Sequence, residues 1–134
     1  MSDPASSSLL VLFVDDDGDL RTLAGRMLAK YGHRFKLAGD GGEAIRLLQA
    51  EPFDVLVLDI IMPGKEGIET IVEVRQQWPN LPILAISGGG AIPAPQVLEL
   101  ARQVGAHGFL AKPFSALDLQ MAILDVKATA DAKG

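Results

Sequence analysis

The sequence predicts an α/β domain: five short strands, each followed by a helix, forming a parallel sheet with helices on both faces. Three observations predict it. Short apolar runs recur along the chain, at residues 9–14 (LLVLFV), 54–58 and 82–86. Apart from Asp54 at the start of the third strand, these runs are apolar instead of alternating, as in strands covered on both faces. The segments between them are of helix length, with apolar residues spaced three and four apart. Such alternation calls for right-handed crossovers and a parallel sheet, and in these sheets function gathers at the carboxyl ends of the strands.

The elements follow in order. Residues 9–14 form the first strand. After "DDDGD", Leu20, Leu23, Ala24, Met27 and Leu28 make a helical stripe, and Gly32 after Tyr31 supplies the left-handed residue that ends it. Residues 35–38 are a second, weaker strand. Asp40 can cap a second helix carrying Ala44, Leu47 and Leu48, which stops before Glu51-Pro52. Residues 54–58 are the third strand. Ile68, Ile71, Val72, Arg75 and Trp78 mark the third helix, closed by Pro79-Asn80. Residues 82–86 (PILAI) are the fourth strand, followed by "SGGGAIPAP", a loop of unusual backbone freedom. The fourth helix starts near Pro95, with Val97, Leu100, Ala101 and Val104 on one stripe. Residues 107–110 are the fifth strand. Ser115 and Asp118 form an S-x-x-D capping box for a last helix that runs to about Lys127.

Composition bounds the function. The chain has 134 residues, about half of them apolar, which suits one domain with a real core. Its formal net charge is −5 with no basic cluster, which argues against nucleic acid or an anionic membrane as a partner. There is no cysteine, which excludes disulfides, thiolate catalysis and cysteine-based zinc sites and is compatible with a cytoplasmic location. No apolar run approaches the roughly 20 residues of a membrane span. Residues 1–8 read as a disordered leader, 9–127 as the domain, and 128–134 as a flexible tail.

What the strand ends deliver is chemical. Strand one ends at Asp15 and Asp16, strand three at Asp59 and strand four at Ser87, while Lys112-Pro113 follows strand five. Each alone has a bland reading as a turn or surface residue. Together they bring three carboxylates, a hydroxyl and an ammonium to one rim from distant parts of the chain. Clustered carboxylates repel one another, and without histidine or cysteine they are hard oxygen ligands suited to Mg²⁺. Lysine pairs with a carboxylate or phosphoryl group, and serine donates to an anion. Such a site suits phosphoryl transfer, with a carboxylate as covalent acceptor.

These residues resemble the receiver domains of two-component response regulators. The match runs from Leu9 to about Val126 through "VDD" (14–16), "DIIMPG" (59–64), "ISG" (86–88) and "KPF" (112–114), strings that are weak singly and specific in this order. The resemblance implies the flavodoxin-like (βα)5 fold with strand order 2-1-3-4-5. It implies that Asp59 accepts a phosphoryl group from the phosphohistidine of a sensor kinase or phosphotransfer protein. Mg²⁺ would be held by Asp16, by Asp15 mostly through water, by Asp59, and by the backbone carbonyl of Ile61. Ser87 and Lys112 would bind phosphoryl oxygens, and the Lys112–Pro113 peptide would be cis.

The resemblance also implies a switch in which Ser87 moves toward the phosphoryl group and Phe109 turns inward behind it. Phe109 lacks a hydroxyl and would report by packing alone. The readout surface would be the fourth helix, fifth strand and fifth helix, where Leu98, Leu119 and Ala122 fall off the best buried stripes and are expected to form a partner patch. His33 and His107 read as ordinary surface and strand-start residues, since neither has ligand-like spacing. The chain would not be an enzyme beyond its own phosphorylation and dephosphorylation, and would act as a monomer or a phosphorylation-linked dimer.

Competing readings fare worse. A haloacid-dehalogenase-type phosphatase needs an acid two residues after its nucleophile, where Ile61 stands, and a cap that the chain lacks room for. A flavodoxin-like cofactor binder would meet a repelling "DDDGD" after strand one, and no P-loop string is present. The runner-up is a receiver-like module that binds proteins without phosphorylation. It would be marked by a missing acceptor, acid pair or lysine, and all of these are present.

Overall fold

The computed structural model describes residues 8–60, 66–88 and 95–133. The described chain alternates β1 (Leu10–Val14), α1 (Gly18–Lys30), β2 (Arg34–Ala38), α2 (Gly41–Ala50), β3 (Val55–Asp59), α3 (Glu66–Gln77), β4 (Ile83–Ser87), α4 (Pro95–Val104), β5 (Gly108–Ala111) and α5 (Ala116–Lys133). All strand pairs are parallel, in the order β2-β1-β3-β4-β5, as the sequence reading expected.

The unbroken apolar strands explain the two-sided architecture. Along β1, Leu10, Leu12 and Val14 face one core with Leu56, Leu58, Ile83 and Ala85, covered by α2, α3 and α4. Their neighbours Val11 and Phe13 face the other with Val55, Val57, Leu84 and Ile86, covered by Ala24 and Leu28 of α1 and by Leu119, Ile123 and Val126 of α5. Strand periodicity of two thus divides one apolar run between two cores. The edge strand β2 is partly exposed in alternation, which is why its sequence signal is weaker.

The caps form where the sequence places them. Asp40 accepts from the Glu43 N–H, Ser115 and Asp118 exchange the two bonds of a capping box, and Gly32 adopts φ +80° after the Tyr31 C-cap. Helix α1 begins earlier than its apolar stripe, because Asp17 caps it and accepts from Asp19 and Leu20.

Four expectations are corrected. α5 continues past Lys127 to Lys133, because Lys127 pairs with Asp131 one turn on and Ala130 packs into the core, so the last residues have helical partners. The stripe residues Leu23, Val72 and Leu100 are exposed, since each helix rests on the sheet through a narrower face than its apolar content offers. On α4 the inward face is Leu98, Ala101 and Val104. Leu119 is buried under α5 and Leu98 and Ala122 pack on the cores, so these three are not a partner patch. His33 is buried: its Nδ1 accepts from the Leu9 N–H, which leaves Nε2–H to donate to Gln120 Oε1 at 2.6 Å. His107 similarly accepts from the Ile83 N–H through Nδ1.

Candidate functional site

Register brings the chemistry to one rim. β1 and β3 run side by side with Val14 opposite Leu58, so the residues that follow, Asp15 and Asp59, lie next to each other. Asp59 pairs with Ile86, one residue before Ser87, and Ser87 pairs with Ala111, one residue before Lys112. The Lys112 N–H donates to the Ser87 carbonyl at 2.7 Å, and the Lys112–Pro113 peptide is cis.

The acids form a cluster. One carboxylate oxygen from each of Asp15, Asp16 and Asp59 lies within 4.8 Å of the others. Asp15 and Asp59 are buried, whereas Asp16 is exposed. The Lys112 ammonium reaches across the rim and sits 2.9 Å from Oδ2 of both Asp15 and Asp59. Burial works against its charge, but hydrogen bonding and charge from Asp15 and Asp59 outweigh that, so the Lys112 pKa is raised.

The two oxygens of Asp15 are held differently. Its Oδ1 accepts from the Asp17 N–H at 2.9 Å, while Oδ2 is fully buried with no hydrogen-bond donor aimed at it, although the ammonium is within ion-pairing range. A buried carboxylate oxygen without a donor is costly unless a cation sits nearby. Three clustered carboxylates facing one ammonium keep net negative charge, and their hard oxygen donors fit a divalent cation of the Mg²⁺ type.

Arg21 was not anticipated. Its Nη1 donates to the Asp15 backbone carbonyl at 2.7 Å, and its guanidinium lies against Gly18 and Gly39. Its place one turn into α1, on the helix face above the acid pair, was the available signal. Gly88 is a second addition. It adopts φ +127°, and a Cβ there would come within 3.1 Å of Lys112 N and Cβ, so glycine permits β4 to pass this close to the lysine. Phe109 is half-buried, packs on the core under α2–α4, and lies opposite the small Ala85. Ile61 and Met62-Pro63-Gly64 lie outside the described residues, as do Gly89 and Gly90.

The sequence model of the response regulator receiver domain matches residues 11–124. This chain belongs to that family. Among its relatives are the response regulator MprA of Mycobacterium ulcerans, 35% identical over 112 residues covering 84% of this chain and 47% of that protein, and the response regulator protein FleR of Pseudomonas aeruginosa, 35% identical over 118 residues covering 88% and 24%. This chain therefore spans less than half the length of these relatives. Solved structures similar to it include NtrX from Brucella abortus, with a TM-score of 0.85 at 30% identity over 94% of this chain and 28% of that one. The Vibrio cholerae chemotaxis protein CheY4 has a TM-score of 0.81 at 32% identity over 90% and 99%. As a receiver domain of two-component systems, the chain carries in Asp15, Asp16 and Asp59 an acidic cluster that fits a Mg²⁺ and phosphorylation site. Among the described residues no helix is long and apolar enough to cross a membrane.

Proposed function

We propose that this receiver domain accepts a phosphoryl group on Asp59 from a phosphohistidine of a sensor kinase or phosphotransfer protein, and that phosphorylation changes a protein-binding surface. The observation that carries this reading is the Lys112 ammonium, 2.9 Å from both Asp15 and Asp59 in a cluster of three carboxylates. An Asp59 oxygen attacks phosphorus, the P–N bond breaks, and the imidazole nitrogen leaves with the bonding electron pair. Asp15 and Asp16, with Asp59, would hold Mg²⁺, which supplies positive charge to the acidic rim and to the transferring oxygens when bound.

The chain's own residues do the rest. Arg21 holds the Asp15 backbone, Lys112 is placed to pair with the charge that develops on phosphoryl oxygens, and Ser87 offers a hydroxyl at the next strand end. In the phosphorylated state Ser87 moves toward the phosphoryl group and Phe109 packs inward over Ala85, altering the face formed by α4, β5 and α5. The chain acts on no substrate beyond its own aspartate, and a downstream protein target or the next protein of a relay reads the change.

Intact mass after incubation with Mg²⁺ and acetyl phosphate tests this. A single base-labile phosphoryl adduct is expected, absent without Mg²⁺ and absent in Asp59→Asn. If no adduct forms under any condition, a phosphorylated histidine donor included, the reading falls and a phosphorylation-independent binding module replaces it.

A further inference from the structure

The amino ends of β3 and β4 open onto a cleft of about 390 Å³, at the far end of β3 from Asp59. That volume falls within the range of small-molecule sites, roughly 300–1,000 Å³. Much of its lining is apolar: Leu48, Phe53, Leu81 and Pro82 border it and are buried. Trp78 also lines it, half-buried, and its indole N–H has no acceptor among the described residues.

This lining is held in place. Arg75 donates through Nη1 to the Trp78 carbonyl at 2.8 Å and through Nη2 to the Leu81 carbonyl at 2.9 Å, which pins the turn between α3 and β4. Pro52, Pro79 and Pro82 fix φ along the α2–β3 and α3–β4 connections. A cleft preorganised in this way costs little ordering when a ligand enters. Its charge is one-sided. Asp54, Lys127 and Asp131 are its charged residues, and Lys127 is already bonded to both carboxylate oxygens of Asp131, at 3.0 and 3.2 Å. Asp54 is left with no counter-ion among the described residues. Its Oδ2 accepts from the Leu10 N–H at 2.8 Å, while its Oδ1 accepts from no donor among them.

We propose that this cleft binds a small hydrophobic amine, with its ring against Trp78 and Phe53 and its ammonium at Asp54. A carboxylate bordered by apolar walls attracts an ammonium more strongly than one in open water does, and the face of an indole attracts a cation as well. An anion would meet Asp54 with nothing to offset it, because Lys127 is engaged by Asp131. A neutral ring would gain the apolar contacts alone. The cleft shares no residue with the acidic rim. It lies between the α2–β3 and α3–β4 connections, not on the face formed by α4, β5 and α5.

The test uses phenethylamine, hydrocinnamate and phenethyl alcohol, which share a phenyl ring on a short arm and differ in charge. Each is titrated into the full chain, and Trp78, the single tryptophan, reports occupancy through its fluorescence. Phenethylamine is expected to give a saturable change with a dissociation constant of about 1 mM, at least about fivefold below those of the other two. Asp54→Asn keeps an acceptor for the Leu10 N–H and removes the charge, so it should reduce that preference at least about threefold. Gln77 is exposed at the cleft, and Gln77→Lys should weaken amine binding and strengthen acid binding, with circular dichroism and a urea midpoint close to wild type. The proposal is overturned if phenethylamine gives no saturable change up to about 20 mM, if the three probes bind alike, or if Gln77→Lys leaves the preference unchanged. A folded Asp54→Asn protein that keeps the full preference overturns it as well.

Discussion

Replacing Lys112 with methionine should destabilise the metal-free protein far more than the loss of a surface lysine would. Its ammonium is 2.9 Å from each of two carboxylates, and its side chain is only 18% exposed. Methionine keeps much of the volume but leaves Asp15 and Asp59 buried beside each other without the cation they share. Breaking a buried pair in this way costs about 3–5 kcal/mol, and the partial exposure of Lys112 argues for the lower end. With a urea slope of about 2 kcal/mol/M, the midpoint should fall by roughly 1.5 M. Urea unfolding followed by the fluorescence of Trp78, the single tryptophan, reads this directly. In an Asp59→Asn background one carboxylate of the pair is neutral, so the same substitution should cost about half as much, a coupling above about 1 kcal/mol. Saturating Mg²⁺ should narrow the deficit, because a bound cation takes over the role of counter-charge. The reasoning is refuted if Lys112→Met lies within about 0.5 kcal/mol of wild type, or costs the same in both backgrounds.

The raised pKa of Lys112 sets a second expectation: its contribution is fully present below the ordinary lysine value of 10.5 and is lost as pH rises through the higher folded value, so the wild-type and Lys112→Met midpoints should converge only above about pH 10.5. Urea midpoints at pH 8, 10 and 11.5 check it. Gly67→Ala should be costly, because a Cβ there would collide with the Ile60 backbone immediately after Asp59, and backbone cannot step aside cheaply. We expect a loss of about 1–3 kcal/mol together with slower phosphorylation by acetyl phosphate, measured by thermal melting and intact mass. Arg75 donates to the carbonyls of Trp78, Leu81 and Gly105, tying the end of α3 to the turns before β4 and β5. Arg75→Lys should therefore lower stability by about 2–3 kcal/mol in thermal melts, nearly as much as Arg75→Ala, since one ammonium cannot span three carbonyls set apart in this way.

Much of this molecule is legible in its sequence, for identifiable reasons. The strands buried on both faces are continuous apolar runs, and a run such as residues 55–58 has no stable place except inside a covered sheet. The caps are legible because Asp40, Gly32 and the Ser115/Asp118 pair satisfy backbone groups within three or four residues of themselves, so that sequence distance and spatial distance agree. The acidic rim is legible because parallel alternation fixes which end of each strand points the same way. What failed was the orientation of helices. Periodicity marks an apolar stripe but not how wide a contact the sheet offers it, so Leu23, Val72 and Leu100 were assigned inward and stand exposed. On α5 periodicity cannot tell the faces apart, because apolar residues lie on both, and Leu119 rather than Met121 is the buried one. Its end was misread for a different reason: "KATADAKG" is small and polar, yet Ala130 is buried and Lys127 bonds Asp131, which keeps the helix going.

The two rims of the sheet show why buried polar residues have to be judged by their partners. At the amino ends of the strands, His33, His107 and Asp54 are each tied to backbone. His33 Nδ1 accepts from Leu9, His107 Nδ1 from Ile83, and Asp54 Oδ2 from Leu10 at 2.8 Å. These side chains take up strand-start N–H groups that no neighbouring strand satisfies, a structural role that fold stability alone accounts for. At the carboxyl ends the pattern is inverted. Asp15, Asp16 and Asp59 crowd together, and the single ammonium of Lys112 is shared between two of them. Nothing in the fold requires that arrangement, and mutual repulsion and desolvation count against it. A rim that carries uncompensated charge in the resting protein is one whose stability must respond to an added cation. If the metal-free protein were no less stable than the protein in saturating Mg²⁺, the contrast between the two rims would lose its meaning. We expect instead a stabilisation of about 2.7 kcal/mol at a hundredfold excess of Mg²⁺ over its dissociation constant, reversed by chelation and greatly reduced in Asp16→Ala.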